Sequence, residues 1–329
     1  MPMKERAMKA LKASICIAVT ALALSMPLGA LSHAGEDEAG TLSQQMKVLY
    51  RAGKYMEALP LAQKSLALRE KEFGPDDANV AIPLNDLGTI HYNLGQYAAA
   101  EPLYRRSLAI MEKKLGQDHV ELAGMLSNLG DLYRAVGRYA EAESFLQRSI
   151  AISEKALGRD DPSVVMALSN LAATYSNQGR YDKSEPLFER ALAILEKANG
   201  PDHPEATVLM SNLADAYIQR RRYGDAERML KRAIAATEKA FGPDHPDIAV
   251  ALNNLAEVYA RQGRNAEAER SFKRAVAALE KTLGPNHPDL AGVLDNLAGL
   301  YRDQGRTADA RQVLARATAI RGKTTPKPI

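Results

Sequence analysis

The sequence of 329 residues contains no tryptophan, a single cysteine and few aromatic residues, which make up 5% of the chain. The cysteine, Cys16, lies in an apolar stretch near the start, so residues 17–329 can form no internal disulfide and offer no thiolate nucleophile. Excess charge is also lacking, because 43 basic and 40 acidic residues leave a formal net charge of +3. This balance does not favour nucleic acid or an anionic membrane surface as a partner.

Sequence motifs that carry chemistry are missing as well. The chain has no His-Glu-x-x-His motif, no glycine-rich phosphate loop, no pair of catalytic carboxylates and no recognisable Ser-His-Asp set. We therefore expect a protein without enzymatic activity, cofactor or bound metal.

A repeat of 42 residues dominates what is present. Glycines recur at this interval, at Gly74, Gly116, Gly158, Gly200, Gly242 and Gly284. A fixed period over most of a chain indicates a solenoid of stacked units. Solenoids present a long continuous surface, and their usual function is to bind other molecules.

Each repeat is predicted to form two helices. In the clearest copy, Leu252 and Tyr259 share one face of the first helix, and Gly263 follows its end, where a left-handed cap favours glycine. Phe272 and Leu279 mark the apolar face of the second helix in the same way. Neither helix can bury its apolar face alone, so each hairpin depends on its neighbours.

Three positions recur in register across the copies. One column is Leu87, Leu129, Leu171, Leu213, Leu255 and Leu297, and four residues later come His91, Tyr133, Tyr175, Tyr217, Tyr259 and Tyr301. A small residue recurs in the second helix, at Ala100, Ala142, Ser184, Ala226, Ala268 and Ala310. This order resembles the tetratricopeptide repeat, and the 42-residue period with Leu-x-Asn-Leu-Ala and Gly-Pro-Asp-His-Pro resembles its kinesin-light-chain type. The resemblance covers about 41–319 and implies an all-α, right-handed superhelical solenoid of about seven antiparallel helix hairpins.

These features divide the chain into four parts. We expect a cleavable signal peptide at 1–34, a short linker at 35–40, the solenoid at 41–321 and a disordered tail at 322–329. The seven repeats lie near 41–74, 78–116, 120–158, 162–200, 204–242, 246–284 and 288–321.

The predicted signal peptide has a basic start, an apolar run over about 13–31 and small residues at Ser32 and Ala34, which fit cleavage before Gly35. We therefore expect an exported bacterial protein, periplasmic or secreted, without stable membrane insertion after cleavage. The alternative is tethering to the membrane by an uncleaved N-terminal segment. Residues 1–34 contain four basic residues and one acidic residue, so the rest of the chain has 39 of each and no net charge.

Histidine recurs in the loop between repeats, at His119, His203, His245 and His287, and aspartate replaces it at Asp77 and Asp161. A metal site would need these ligands to converge on one ion, whereas equivalent residues of successive repeats are roughly 10 Å or more apart. We therefore interpret the column as helix caps and loop-packing residues.

A column of amides occupies the first helices: Asp86, Asn128, Asn170, Asn212, Asn254 and Asn296. Asparagine is a mediocre helix former, so its recurrence needs a reason. The amides bridge adjacent repeats, bind the backbone of an extended peptide, or do both. In the proteins that the chain resembles, asparagines of the first helix contact bound peptides.

The resemblance also implies that the first helices line a concave groove, with the columns of Asn253, Glu257, Ala260 and Arg261 facing inward. The candidate peptide-binding residues are Asn85, Asn128, Asp131, Arg134, Asn170, Asn177, Asn212, Asp215, Gln219, Asn253, Asn254, Glu257, Arg261, Asp295, Asn296 and Arg302. They form a polar surface of mixed charge that differs between repeats, which favours a groove that reads peptide sequence.

These observations predict a non-enzymatic scaffold of the bacterial cell envelope that holds a protein or peptide in its concave groove. Two alternatives remain at this stage. The protein is a structural spacer or self-assembling scaffold of an envelope complex, or it is the regulatory subunit of a separately encoded enzyme.

Overall fold

The computed structural model describes residues 38–324. The predicted signal peptide and most of the predicted tail lie outside the described residues. Within them the chain forms fourteen α-helices, one short 3₁₀ turn at Pro162–Val164 and no strand, so the predicted all-α array of helix hairpins is confirmed.

The helices follow one another as seven pairs. They are α1 (Glu38–Arg51), α2 (Tyr55–Phe73), α3 (Ala78–Asn93), α4 (Tyr97–Leu115), α5 (Leu122–Ala135), α6 (Tyr139–Leu157), α7 (Val165–Asn177), α8 (Tyr181–Asn199), α9 (Ala206–Gln219), α10 (Tyr223–Phe241), α11 (Ile248–Arg261), α12 (Asn265–Leu283), α13 (Asp289–Asp303) and α14 (Thr307–Thr324). Odd-numbered helices are the first helices of the repeats, and even-numbered helices are the second.

Both outer boundaries of the array differ from the sequence prediction. Helix α1 begins inside the predicted linker because Ala39 is buried and Glu38 pairs with Lys64 of α2 at 2.6 Å. Helix α14 continues past the predicted boundary because Ile320 is buried and Arg321 pairs with Asp295 of α13. Packing against a neighbour therefore extends each terminal helix beyond its periodic pattern.

The helices group into two compact units, 38–178 with α1–α7 and 179–324 with α8–α14. In the first unit, α3 contacts α5 and α5 contacts α7, and in the second, α9 contacts α11 and α11 contacts α13. Within either described unit, no two second helices approach each other as closely. The side formed by the first helices is therefore the narrower side of each unit.

Tight turns join the two helices of a repeat, and their left-handed residue is glycine with one exception. Arg221 takes this position between α9 and α10, with a φ of 59°. The turn is built like its glycine counterparts: the Arg222 N–H donates to the Tyr217 carbonyl at 2.8 Å, and the Arg264 N–H donates to the Tyr259 carbonyl at 2.9 Å. Arg221 thus carries the steric strain that glycine avoids.

The tyrosine column forms the core between repeats and also anchors an ion pair. In 38–178, Tyr133 is fully buried, and its Oη donates to Glu101 of the preceding repeat at 2.7 Å. Arg138 pairs with Glu101 at 3.1 Å and lies 4.3 Å from the centre of the Tyr133 ring. Burial, with the adjacent Glu101 carboxylate, raises the pKa of Tyr133 to about 12.

The same Tyr–Glu–Arg cluster recurs in 179–324. Tyr301 Oη donates to Glu269 at 3.0 Å, and Arg306 pairs with Glu269 at 2.6 Å. Lys273, together with Arg306 and Tyr301, lowers the pKa of Glu269 to about 2. Each cluster links the first helix of one hairpin to the second helix of the preceding hairpin.

Candidate functional site

The solvent-facing side of the first helices forms a row of side chains in each unit, which we call the open face. Its positions follow the helical spacing of four, three and four residues. In 38–178 they are Ile82, Asp86, Thr89, Asn93, Gly124, Asn128, Asp131, Ala135, Met166, Asn170, Ala173 and Asn177, all partly or fully exposed. In 179–324 they are Val208, Asn212, Asp215, Gln219, Val250, Asn254, Glu257, Arg261, Gly292, Asn296, Gly299 and Asp303, likewise accessible.

Sequence reasoning missed an apolar row on the open face. Ile82 has 59% of its surface exposed, and Met166, Val208 and Val250 are partly exposed at the equivalent positions. The signal was present in the sequence, because each of these residues precedes a member of the amide column by four positions. The open face therefore has an apolar edge, a row of amides and an edge of mixed charge.

The amide column has two kinds of member. Asn128 Nδ2 donates to Asn85 Oδ1 of the preceding first helix at 3.0 Å, and Asn296 Nδ2 donates to Asn253 Oδ1 at 2.9 Å. These two asparagines bridge repeats, which is the structural role considered from the sequence.

Other members of the column lack such a bridge. Asn85 is replaced by serine in the first helices that precede these members. Ser127 takes its place in the first helix before that of Asn170, and Ser211 takes it in the first helix before that of Asn254. Ser211 donates to its own helix at the Thr207 carbonyl, 2.9 Å away. The carboxamides of Asn170 and Asn212 have no hydrogen-bond partner within the described residues, and Asn254 only accepts a bond from Asn253 at 3.3 Å. Their N–H groups are available to a ligand.

The predicted column of Asn85, Asn253 and Asp295 needs correction, because it faces the next repeat instead of open solvent. Asn253 is 3% exposed, and the bonds to Asn128 and Asn296 occupy the Oδ1 atoms of Asn85 and Asn253. Asp295, which no further repeat covers, pairs with Arg321 of α14. These residues position the amide column and do not form the ligand-facing surface.

The column of Arg134 and Arg302 also departs from the prediction. Only 10% of the Arg134 side chain is exposed, and its Nε donates to Asp131 at 2.9 Å. Ile218, at the equivalent position of α9, is buried, whereas Arg302 is exposed at the end of the array. The exposure of this column therefore differs between repeats, from the buried Ile218 to the exposed Arg302.

The charged edge of the open face is paired within single helices. Arg261 pairs with Glu257 at 3.1 Å, and Gln219 Nε2 donates to Asp215 at 3.4 Å. Because these contacts join residues of the same helix, both charges of the Arg261–Glu257 pair stay at the surface. Such exposed charges affect which partner binds more than they affect how tightly it binds.

Asp86 is the exception in the amide column. It is half-buried on α3 and faces Lys47 of α1. Burial raises its pKa to about 6, and the positive charge of Lys47 offsets only part of that effect.

The histidine column accepts backbone hydrogen bonds in the turns that lead into the first helices, which agrees with the loop-packing role interpreted from the sequence. The Nδ1 atom of His119 accepts from the Glu121 N–H at 3.3 Å, as His203, His245 and His287 do from the residue two positions later at 3.4 Å. Asp77 Oδ1 accepts from the Asn79 N–H at 2.8 Å in the same way. In the described part of the chain, no group of His, Cys, Asp or Glu is arranged to hold a metal ion.

A family model described as tetratricopeptide repeat matches the chain over residues 37–113, 121–197, 163–239, 206–281 and 247–323. The chain belongs to the tetratricopeptide repeat family. No curated protein sequence matches it.

Solved structures identify the type of repeat. A kinesin-light-chain-like protein of Podosopora anserina with nearly identical TPR-like repeats is 28% identical, at a TM-score of 0.55 over 62% of this chain and 96% of that one. BtubC (BKLC) from P. vanneervenii is 25% identical, at a TM-score of 0.58 over 71% and 94% of the two chains. A tetratricopeptide repeat protein from Parabacteroides merdae shares the fold at 17% identity, with a TM-score of 0.58 over 86% and 93%. The tetratricopeptide repeats of this chain are therefore of the kinesin-light-chain-like type.

Tetratricopeptide repeat proteins generally serve as scaffolds for protein interaction, and they bind proteins or peptides. Between residues 38 and 324, no helix combines the length and apolarity needed to cross a membrane.

Proposed function

We propose that the protein is a non-enzymatic scaffold that binds an extended segment of a partner protein along the open face. One observation carries the proposal: in both units, amides of the first helices are accessible while their side-chain N–H groups have no hydrogen-bond partner within the described residues. Asn170 provides this arrangement in 38–178, and Asn212 and Asn254 provide it in 179–324.

The neighbouring rows suit an extended peptide. An extended backbone offers N–H and C=O groups that pair with carboxamides, each contact adding about 1 kcal/mol. The side chains of such a segment point alternately to opposite sides. Val208 and Val250 can receive apolar side chains on one edge, while Asp215 and Arg261 meet polar ones on the other.

A double variant of the second unit tests this proposal. Peptide ligands are first selected from a displayed random library against the protein, and their dissociation constants are then measured by fluorescence anisotropy. Asn212→Ala with Asn254→Ala removes the two accessible amides and is expected to weaken binding by about 30-fold, as two lost contacts of about 1 kcal/mol each require.

The matched control removes two other amides of the same unit. Asn265 and Gln312 are exposed on second helices and make no hydrogen bond through their side chains in the described structure. Asn265→Ala with Gln312→Ala should leave the dissociation constant unchanged. If this control weakens binding and the first-helix variant does not, the interface lies on the second helices and the proposal is wrong.

We also propose that the scaffold works in the bacterial cell envelope after export. The basic start, apolar run and small residues of 1–34 support this location. N-terminal sequencing of the protein from a periplasmic extract should begin at Gly35. Full-length protein confined to the cytosol would contradict export, and full-length protein in the membrane fraction would indicate an uncleaved anchor.

A further inference from the structure

The turn between α9 and α10 contains three consecutive arginines, Arg220, Arg221 and Arg222, whereas the equivalent turns of the other repeats have at most one basic residue at these positions. Arg220 pairs with the buried Glu185 of α8 at 2.5 Å. Arg222 pairs with Glu185 as well, and with Asp225 at 2.7 Å. Two of the three arginines are therefore held by carboxylates of the unit 179–324.

Arg221 differs from its two neighbours because its side chain has no partner. It is exposed, and its guanidinium makes no hydrogen bond or ion pair within 38–324. In the other repeats this position is a glycine at which an added Cβ would meet no atom within 4 Å. These glycines are Gly53, Gly95, Gly137, Gly179, Gly263 and Gly305. A side chain at this position therefore starts out into open solvent.

The backbone of Arg221 is strained. Between residues 38 and 324 it is the only residue other than glycine with a positive φ, which is 59°. The left-handed conformation costs an arginine free energy that it does not cost a glycine. No polar contact of the Arg221 side chain within the described structure offsets this cost. Strain of this kind is typical of functional positions, so we look for a partner of the guanidinium outside the chain.

The turn lies at the end of the open face. Gln219, the last open-face position of α9, precedes Arg221 by two residues. The accessible amide of Asn212 lies nine residues before Arg221, or about 13 Å along a helix that rises 1.5 Å per residue. An extended arginine side chain and an acidic side chain of a peptide bound at Asn212 can together span this distance.

We propose that Arg221 binds an acidic side chain of the partner segment and so selects partners with a carboxylate near the residue held by Asn212. This inference rests on the proposed function, because it extends the open face by one site. A guanidinium binds a carboxylate through two parallel hydrogen bonds. Glu185 and Asp225 balance only two of the three arginines, so the turn keeps a positive charge that favours an acidic ligand.

Two parallel selections from the displayed random library test the inference, one against the natural protein and one against Arg221→Gly. Peptides selected by the natural protein should share an aspartate or glutamate at one position, and peptides selected by the variant should not. One acidic peptide is then synthesised with a C-terminal amide, together with an analogue in which the shared acid is replaced by its amide. The amidated end removes the terminal carboxylate as an alternative ligand of Arg221.

Fluorescence anisotropy then gives the dissociation constants of both peptides. Arg221→Gly should weaken binding of the acidic peptide by about three- to tenfold and leave binding of the neutral analogue unchanged. Urea denaturation should show that this variant is at least as stable as the natural protein, so that unfolding does not explain weaker binding. Arg270→Gln is the matched control, because Arg270 is exposed on α12 and its guanidinium makes no ion pair within 38–324. It should bind the acidic peptide like the natural protein.

Three results would overturn the inference. If Arg221→Gly binds the acidic peptide as tightly as the natural protein does, while Asn212→Ala with Asn254→Ala weakens binding, the open face binds peptide without Arg221. If Arg221→Gly weakens binding of both peptides equally, its effect is not recognition of charge. If only Arg221→Gly weakens binding and the asparagine variant does not, the peptide lies off the open face and the proposed function is wrong as well. A library that yields no ligand for the natural protein would contradict both proposals.

Discussion

Replacing Asp86 by asparagine should stabilise the protein at neutral pH and have little effect in acid. The substitution restores the residue that the other five full copies carry at this position. Burial on α3 raises the pKa of Asp86 to about 6, with Lys47 of α1 as an opposing charge. Tyr50 of α1 and Tyr104 of α4 are the titratable groups that interact with it, and both are uncharged in this pH range because burial raises their pKa values further.

The sign follows from the direction of the shift. The pKa of an unfolded aspartate is about 3.9, so the folded state holds its proton more tightly than the unfolded state does. The associated stability is fully present below about pH 4 and is lost as the pH rises through about 6. A difference of about two pKa units corresponds to an upper value of about 3 kcal/mol, and relaxation around the carboxylate reduces it to about 1 to 3 kcal/mol.

Urea denaturation followed by circular dichroism measures this effect at pH 4 and at pH 7. Asp86→Asn should raise the free energy of unfolding at pH 7 by about 1 to 3 kcal/mol and leave it nearly unchanged at pH 4. Asp76→Asn is the control, because Asp76 is exposed in the loop before α3 and loses the same charge. An equal gain at both pH values, or a loss at pH 7, would refute the assignment of a destabilising buried carboxylate.

Three further predictions concern the repeat core, its turn and its ion pairs. Tyr217→Ala should cost about 3 kcal/mol or more by cavity formation, since Tyr217 is 6% exposed, and thermal melting that leaves the midpoint unchanged would contradict its packing role. Arg221→Gly should raise the free energy of unfolding, measured by urea denaturation, by about 1 kcal/mol because it removes the strain of a left-handed arginine. A loss of stability would show that contacts of the Arg221 side chain contribute more than this strain costs. Glu269→Gln should destabilise at pH 7, and the difference from the natural protein should vanish as the pH falls from about 4.5 towards 2, because the lowered pKa means that stability is lost with protonation. A difference between the two proteins that does not change with pH would show that the ionised carboxylate contributes nothing.

The hairpin array could be predicted from the sequence because the same pattern of residues occurs in seven successive copies. The small residue of the second helix recurs in all seven copies, the turn glycine in six and the buried tyrosine in five, all in register. Even the copy that departs from the pattern keeps the turn, since Arg221 adopts the left-handed conformation of the glycines it replaces. Redundancy of this kind averages out the local ambiguity that limits predictions for a single helix.

The ends of the array could not be predicted as well, because they lack this redundancy. Ala39 and Ile320 are buried by one neighbouring helix each, and nothing in the 42-residue period marks them.

The candidate site shows most clearly what a column of residues can and cannot establish. Asn128 and Asn170 occupy the same position of consecutive repeats, yet only Asn128 bridges to the preceding helix. The difference lies in the partner one repeat earlier, which is Asn85 in the first case and Ser127 in the second. An asparagine is long enough to meet the next amide, whereas serine is not. The pair of columns, read together, therefore separates amides that hold repeats together from amides that remain available for a peptide, which neither column does alone.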